Sequence, residues 1–341
     1  MEFVFLLLVA AAGGFFGACV GGNFSFVITG FAGLAATAAG VAGSAGMSSF
    51  MFSYVAFGPF TGPHIAFTGA VAGSAYAAMK GYTDNGKDIA QPLARLGKPD
   101  VLLVGAAFGV GGWLFKTYVL DPLPWFGGHT DAVALTVALS AIVVRFMFSD
   151  KSLLNPEHYS KTGNKFSPHE HSAWIRYQET FPQLLTMGIF PGLLGASVAL
   201  LLAVNFPGVG MSAAAFPWAI SAITIFFLNI GYNSPVTHHM TIIGGLGAIV
   251  FYPILAGQHV ISGAVLHSLH VPGNALGVDY GLAVGAILIG TAFATLSSFI
   301  GEGSARLFQA RGKTHIDPPA VAIFASTTLI WAVAGMMGAS N

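Results

Sequence analysis

Ten stretches of mostly apolar residues follow one another along this chain, each near the about 20 residues that a helix needs to cross a bilayer. They cover approximately residues 2–20, 23–43, 63–80, 100–119, 132–148, 183–204, 211–231, 236–256, 280–300 and 318–338. Only 8% of the 341 residues are charged, against roughly a quarter in a soluble domain, so the chain is built to use lipid as solvent. The expected fold is an all-α polytopic membrane protein whose principal partner is the lipid bilayer. The first stretch lacks the basic segment of a signal peptide and runs straight into more apolar sequence, so it counts as a span. The 13 Lys+Arg cancel the 13 Asp+Glu, which leaves no clustered basic face for nucleic acid. The single cysteine, Cys19, can close no intrachain disulfide and build no cysteine metal site. The 45 glycines suit helices that meet backbone to backbone in lipid, and assembly as a homo-oligomer through such faces is expected.

Residues 44–62 are apolar but interrupted by Gly58, Pro59 and Gly62. They fit a re-entrant hairpin, a broken half-helix or an extra span. With ten spans, Lys80, Lys87, Arg95, Lys98, Arg145, Lys151, Lys161, Lys165, Arg176, Arg306, Arg311 and Lys313 share one side, and Lys116 alone sits toward the other. The positive-inside rule makes the shared side cytoplasmic. Both termini then lie outside a plasma (inner) membrane, although eleven spans with a cytoplasmic N-terminus would keep the same asymmetry.

The one sizeable polar segment falls in the middle and divides the chain into a transmembrane repeat 1–149, a cytoplasmic linker 150–182 and a second transmembrane repeat 183–341. Four matches run in the same order through the halves. Residues 16–20 (FGACV) answer 194–198 (LGASV), and 104–106 (VGA) answer 284–286. Residues 61–68 (TGPHIAFT) are similar to 233–241 (NSPVTHHMT), and His129-Thr130-Asp131 answers His315-Ile316-Asp317. Five spans is an odd number, so a second copy enters the membrane from the opposite face. Two inverted five-helix repeats, with broken or re-entrant helices at the interruptions, put a substrate path at their interface near the midplane. In span count and repeat symmetry the arrangement resembles five-plus-five inverted-repeat carriers and channels, such as the ammonium and urea channels and the bile-acid-type symporters. The resemblance implies transport and no particular residue.

The candidate path comes from the paired proline openings. Thr61 and Gly62 precede Pro63, and Asn233 and Ser234 precede Pro235, as a cap residue precedes a proline in the first helical turn. Helices that start inside the membrane turn unpaired N–H groups toward a cavity. His64 and Thr68 stack four apart, as do Thr237 and Thr241, with His238 and His239 in the same turn; Asn229 adds an amide. Ionisable residues at membrane depth are functional-site candidates, although capped helices with hydroxyls bonded to local backbone would look the same.

Acids are absent from the middle of every predicted span. Asp100, Asp131, Asp279 and Asp317 sit at helix starts, where capping is their expected role. A small neutral or anionic solute is therefore favoured, with histidine supplying any proton chemistry. The loop histidines His259, His267 and His270 are the candidates for a metal ion, as are His158, His169 and His171 near Glu157 and Glu170, and a solvated loop explains both groups. A bis-His haem from His64 to His238 or His239 has no other support, so no cofactor is expected. Trp113, Trp125, Trp174, Trp218 and Trp331 fall toward span ends, as interfacial anchors do. No nucleotide loop, nucleophile elbow or zinc-protease motif occurs, which disfavours an enzyme. The expected function is a transporter, permease or channel for a small solute. The competing readings are a non-transporting scaffold or accessory subunit and a histidine-based metal or redox protein.

Overall fold

The computed structural model describes residues 1–149, 152–154 and 174–340. Among these residues no strand forms beyond an isolated bridge between Val260 and Ser340. The main elements are helices α1 (Glu2–Val20), α2 (Gly22–Val41), α3 (Ala45–Phe50, continued by a π-helical turn Met51–Ala56), α4 (Ala66–Met79), α5 (Pro99–Phe115, continued by a π turn Lys116–Leu120), α6 (Phe126–His129) and α7 (Ala132–Phe148). The second half supplies α8 (Phe181–Asn205), a 3-10 turn Gly210–Ala214 leading into α9 (Ala215–Ile223), α10 (Ile225–Asn229), α11 (His238–Leu255), α12 (Gly263–Ser268), α13 (Tyr280–Ser304, continued by a π turn Ala305–Gln309) and α14 (Pro318–Met336). Eight helices among the described residues are long and apolar enough to cross a membrane, and α7 is a shorter apolar helix. The candidates His158, His169 and His171, with Glu157 and Glu170, lie outside the described residues.

Glycine sets how the helices meet. A methyl group on Gly14 would lie 2.7 Å from the Gly109 Cα, and one on Gly17 would lie 2.6 Å from the Ala66 Cα. Along α1, Gly14 meets Gly109 and Ala18 meets Gly105, so α1 and α5 run antiparallel; Gly14 also meets Gly69 and Ala18 meets Gly73, so α1 and α4 run parallel. The second half repeats the device, with Gly192 against Gly244 and Gly247 against Gly290. The FGACV and LGASV runs correspond in role, because Gly17 and Gly195 press on the first turns of α4 and α11 respectively. The two VGA runs do not. Gly105 meets backbone, whereas Gly285 meets only the Leu255 side chain, and Gly290 occupies the position against the backbone of α11.

The interrupted segment 44–62 is a broken helix. The Thr61 carbonyl accepts a 2.7 Å hydrogen bond from Thr29 Oγ1, near the middle of α2, so α3 stops part-way along its neighbour and α4 resumes after a turn at 57–65. The third predicted stretch, 63–80, is accordingly only the 14-residue α4. Neither Pro63 nor Pro235 occupies the first helical position, because α4 starts at Ala66 and α11 at His238. The hydroxyls expected to cap them are spent elsewhere: Thr61 donates to the Val55 carbonyl and Ser234 to the Thr224 carbonyl. Trp113, Trp218 and Trp331 are buried.

These backbone contacts predict a sharp contrast. Gly17→Ala and Gly195→Ala are each expected to cost about 1–3 kcal/mol through overpacking. Gly111→Ala, with nothing within 4 Å of its added carbon, is expected to be neutral or slightly stabilising; thermal unfolding of the purified protein in detergent reads the difference.

Candidate functional site

Two aspartates open the helices that frame the interior. Asp131 Oδ1 accepts the Ala134 N–H and Asp317 Oδ2 accepts the Ala320 N–H, both at 2.8 Å, so each carboxylate caps its helix. Asp279 caps α13 in the same way, whereas Asp100 lies within the first turn of α5 and accepts from the Tyr76 hydroxyl. The start of α7 lies beside the middle of α14, where the Thr130 and Thr328 hydroxyls share a 2.8 Å hydrogen bond. Asp131 and Asp317 therefore act as caps, as their positions imply, but at helix starts buried in the protein.

Between these helices lies a cavity of about 290 Å³. Asp131, Val133, Ala134 and Val137 line it from α7, and Asp317, Pro319, Ala320 and Ile323 line it from α14. Each of these four pairs is separated by the same 186 residues. The aromatic wall is Phe26, Phe57, Phe67, Trp174 and Trp218. Trp218 packs 5.4 Å from Phe26 and 5.0 Å from Phe57 between ring centroids. Asn85, Lys87 and Asp88 from the α4–α5 connection, with Trp174 and Ile175, line it from the side that carries most of the positive charge.

Of the residues read from sequence as a path, Pro63 and His238 line this cavity. His238 is buried with its ring 4.8 Å from Phe26, and its Nδ1 has no hydrogen-bond partner among the described residues. His64 is buried in packing, its carbonyl against Gly112. His239 faces Gly301 and Trp174. Thr68 donates to the Pro63 carbonyl, and Thr241 shares a 3.2 Å hydrogen bond with Ser221. Asn229 accepts from Asn23, itself a lining residue, at 3.0 Å. Thr61 holds the α3–α4 break as described, Thr237 is buried just before α11, and Asn233 and Pro235 are exposed.

The H-x-D elements diverge. His315 is buried beside the cavity, with Nε2 3.2 Å from Asp317 Oδ1 and Nδ1 3.0 Å from Gln309 Nε2. Because the Gln309 amide nitrogen can only donate, the imidazole proton belongs on Nε2 and points at Asp317. His129 instead stacks on Trp125, 4.8 Å between centroids. His267 and His270 stack at 6.3 Å and His267 Nδ1 contacts the Val204 carbonyl; with His259 they form no group of three metal-ligating side chains, nor does any other set among the described residues.

Several supports escaped the sequence reading. Gln178 holds Val236 by a reciprocal pair, its amide donating to the Val236 carbonyl at 2.9 Å and its oxygen accepting the Val236 N–H at 3.0 Å. This pins the extended entry to α11. Arg145, read as a cytoplasmic charge, is fully buried and donates to the carbonyls of Leu153, Phe308 and Thr314. Glu302 is buried near the end of α13 and accepts from Arg306 at 2.6 Å. Only the H-x-D spacing pointed to the paired aspartates.

Lys87 lies in the α4–α5 connection, where burial and then repulsion from Arg145 push its ammonium down to about 8. A lysine lowered in the fold leaves the unfolded chain holding more protons above that value. Stability is therefore expected to rise between about pH 8 and pH 10, and Lys87→Met is expected to flatten that part of a melting-temperature profile.

No curated protein and no solved structure matches the chain. One family model, described as a family of unknown function (DUF7973), matches it twice, over residues 1–155 and again over 155–340. The chain belongs to this family, one copy of the matched unit in each half.

Proposed function

We propose that this protein is a membrane transporter of two inverted five-helix repeats that carries a small solute through the cavity at their interface. Counting α7 and the broken α3–α4 pair as crossings brings the eight long helices to ten. The double family match supports the duplication. The contacts α1–α5, α1–α4 and α4–α7 recur as α8–α13, α8–α11 and α11–α14. Helices α2 and α9 pack on each other, as do α7 and α14, as elements at a two-fold axis do. The distribution of Lys and Arg supports a cytoplasmic linker side and both termini outside the plasma membrane.

The cavity lining carries this reading: four pairs of residues at one spacing line it, one member of each pair from each half, which supports a site at the interface between the halves. On this reading the side lined by Asn85, Lys87 and Trp174 would be the way in from the cytoplasm.

Solute flux into proteoliposomes tests this. A panel of small anions, cations and zwitterions is expected to yield at least one solute taken up faster than by empty liposomes. His238→Ala, at the cavity wall, is expected to cut that uptake at least tenfold, whereas His64→Ala, away from the cavity, is expected to lower thermal stability more than transport per folded protein. Absence of uptake for every solute would overturn transport in favour of a scaffold role.

A further inference from the structure

We propose that a second, polar cavity beside the inner one binds a phosphate group, either of a small soluble molecule or of a lipid headgroup. This site goes beyond the transport reading and does not depend on it. The cavity measures about 540 Å³. It lies between the end of α4, the end of α7 at Phe148 and Ser149, residues 84–87 of the α4–α5 connection and residues 312–314 ahead of α14. Asn85 and Lys87 also line the inner cavity, so they form a wall common to both.

The polar side chains on this lining are mostly donors. Lys87 is half-buried, and its ammonium makes no hydrogen bond or ion pair among the described residues; its backbone N–H donates to Asn85 Oδ1 at 3.0 Å. With that oxygen engaged, the amide nitrogen of Asn85 is left to donate. Ser149 Oγ is buried and has no partner among the described residues. Thr314 is buried as well. Its hydroxyl accepts from Arg145 Nε at 3.1 Å and its carbonyl accepts from the same guanidinium at 2.7 Å, so the hydroxyl hydrogen remains to be donated. Lys313 adds a second ammonium at the exposed edge, and Asp84, exposed too, is the one acid on the described lining.

Charge and geometry then select the ligand. A half-buried cation without a counter-charge costs free energy, and repulsion from Arg145 adds to that cost at Lys87. An anion beside the ammonium removes it. On the other side of Lys87 the inner cavity adds Asp88, Asp131 and Asp317, so an anion is held on the outer side. A chloride ion would meet one or two of the donors, and a carboxylate has two oxygens for donors that come from three segments of the chain. A phosphate group has several acceptor oxygens in tetrahedral directions and binds lysine as a point charge. Basic pockets at the ends of membrane helices hold lipid headgroups by the same chemistry. The volume, within the range of ligand pockets, leaves room for an organic group on the phosphate.

The test is calorimetry on the full chain at pH 7 in micelles of a neutral, phosphate-free detergent, with inorganic phosphate as the probe and chloride at equal ionic strength as the control. Phosphate is expected to bind saturably and at least tenfold more tightly than chloride. Lys87→Met is expected to weaken phosphate binding at least tenfold and Ser149→Ala at least threefold, while Lys87→Arg keeps it within threefold of the wild type. No excess of phosphate over chloride, or wild-type affinity in Lys87→Met, would overturn the proposal. If Lys87→Met fails to fold, wild-type affinity in Ser149→Ala would overturn it instead. Micelles doped with phosphatidic acid or with an equal charge of oleate then separate the sources. A larger loss of phosphate binding with phosphatidic acid supports a lipid headgroup as the occupant, and equal binding in both supports a soluble phosphate.

Discussion

Helices in lipid gain no hydrophobic free energy by leaving the solvent, so close packing of backbone on backbone has to hold them together. In this protein that contact is made at a few glycines. Gly14 and Gly17 of α1 bring α4 and α5 within reach, and Gly192 and Gly195 of α8 do the same for α11 and α13. The added carbon of an alanine at Gly17 would fall on the Ala66 backbone. The tight groups α1–α4–α5 and α8–α11–α13 follow from these contacts, and the remaining helices fill the space between them. The cavity lies there, bounded by α2, α7, α9 and α14 and by the starts of α4 and α11.

Because α4, α7, α11 and α14 begin near the cavity, the interior is where helix ends must be satisfied. An unpaired helix end costs free energy in a buried site. The protein resolves two of these ends with carboxylates, Asp131 and Asp317, and a third by turning the backbone, since the Gly62 carbonyl accepts from both Ile65 and Ala66. The start of α11 uses the same backbone device, since the Thr237 carbonyl accepts from both Met240 and Thr241. Its approach is fixed as well by Gln178, which bonds the preceding backbone at Val236.

Apolar runs and their lengths made most helices legible, because a spanning helix is specified by local composition. The α3–α4 break was visible as an interruption, but its form depended on the Thr29–Thr61 hydrogen bond between distant residues. Asp131 and Asp317 were legible as caps and not as cavity residues, since a cap motif is the same at a membrane surface and in an interior. Arg145 shows the opposite limit. A charge near a span end reads as solvated, yet here three backbone carbonyls from two other segments bury it. The V-G-A match failed because glycine recurs so often in this chain that a three-residue identity does not determine which face it occupies.

On the proposed inverted-repeat reading, the departures from symmetry are as informative as the pairs. The walls from α7 and α14 match position for position, so they can serve a solute equally from either side. The coverings do not match. Residues 85–90 and 174–175 cover the cavity from loop segments, while Phe57, at the end of the α3 segment, and Trp218 contribute packed aromatic rings to its lining. The second half has no counterpart of α3, and its place before α11 is taken by an extended stretch held by Tyr177 and Gln178. The histidines differ too: His315 is bonded to Asp317 inside, and His129 is stacked on Trp125 away from Asp131. A duplicated frame with unlike covers has two faces that need not open under the same conditions, so direction of transport would be set by the covers and recognition by the shared walls.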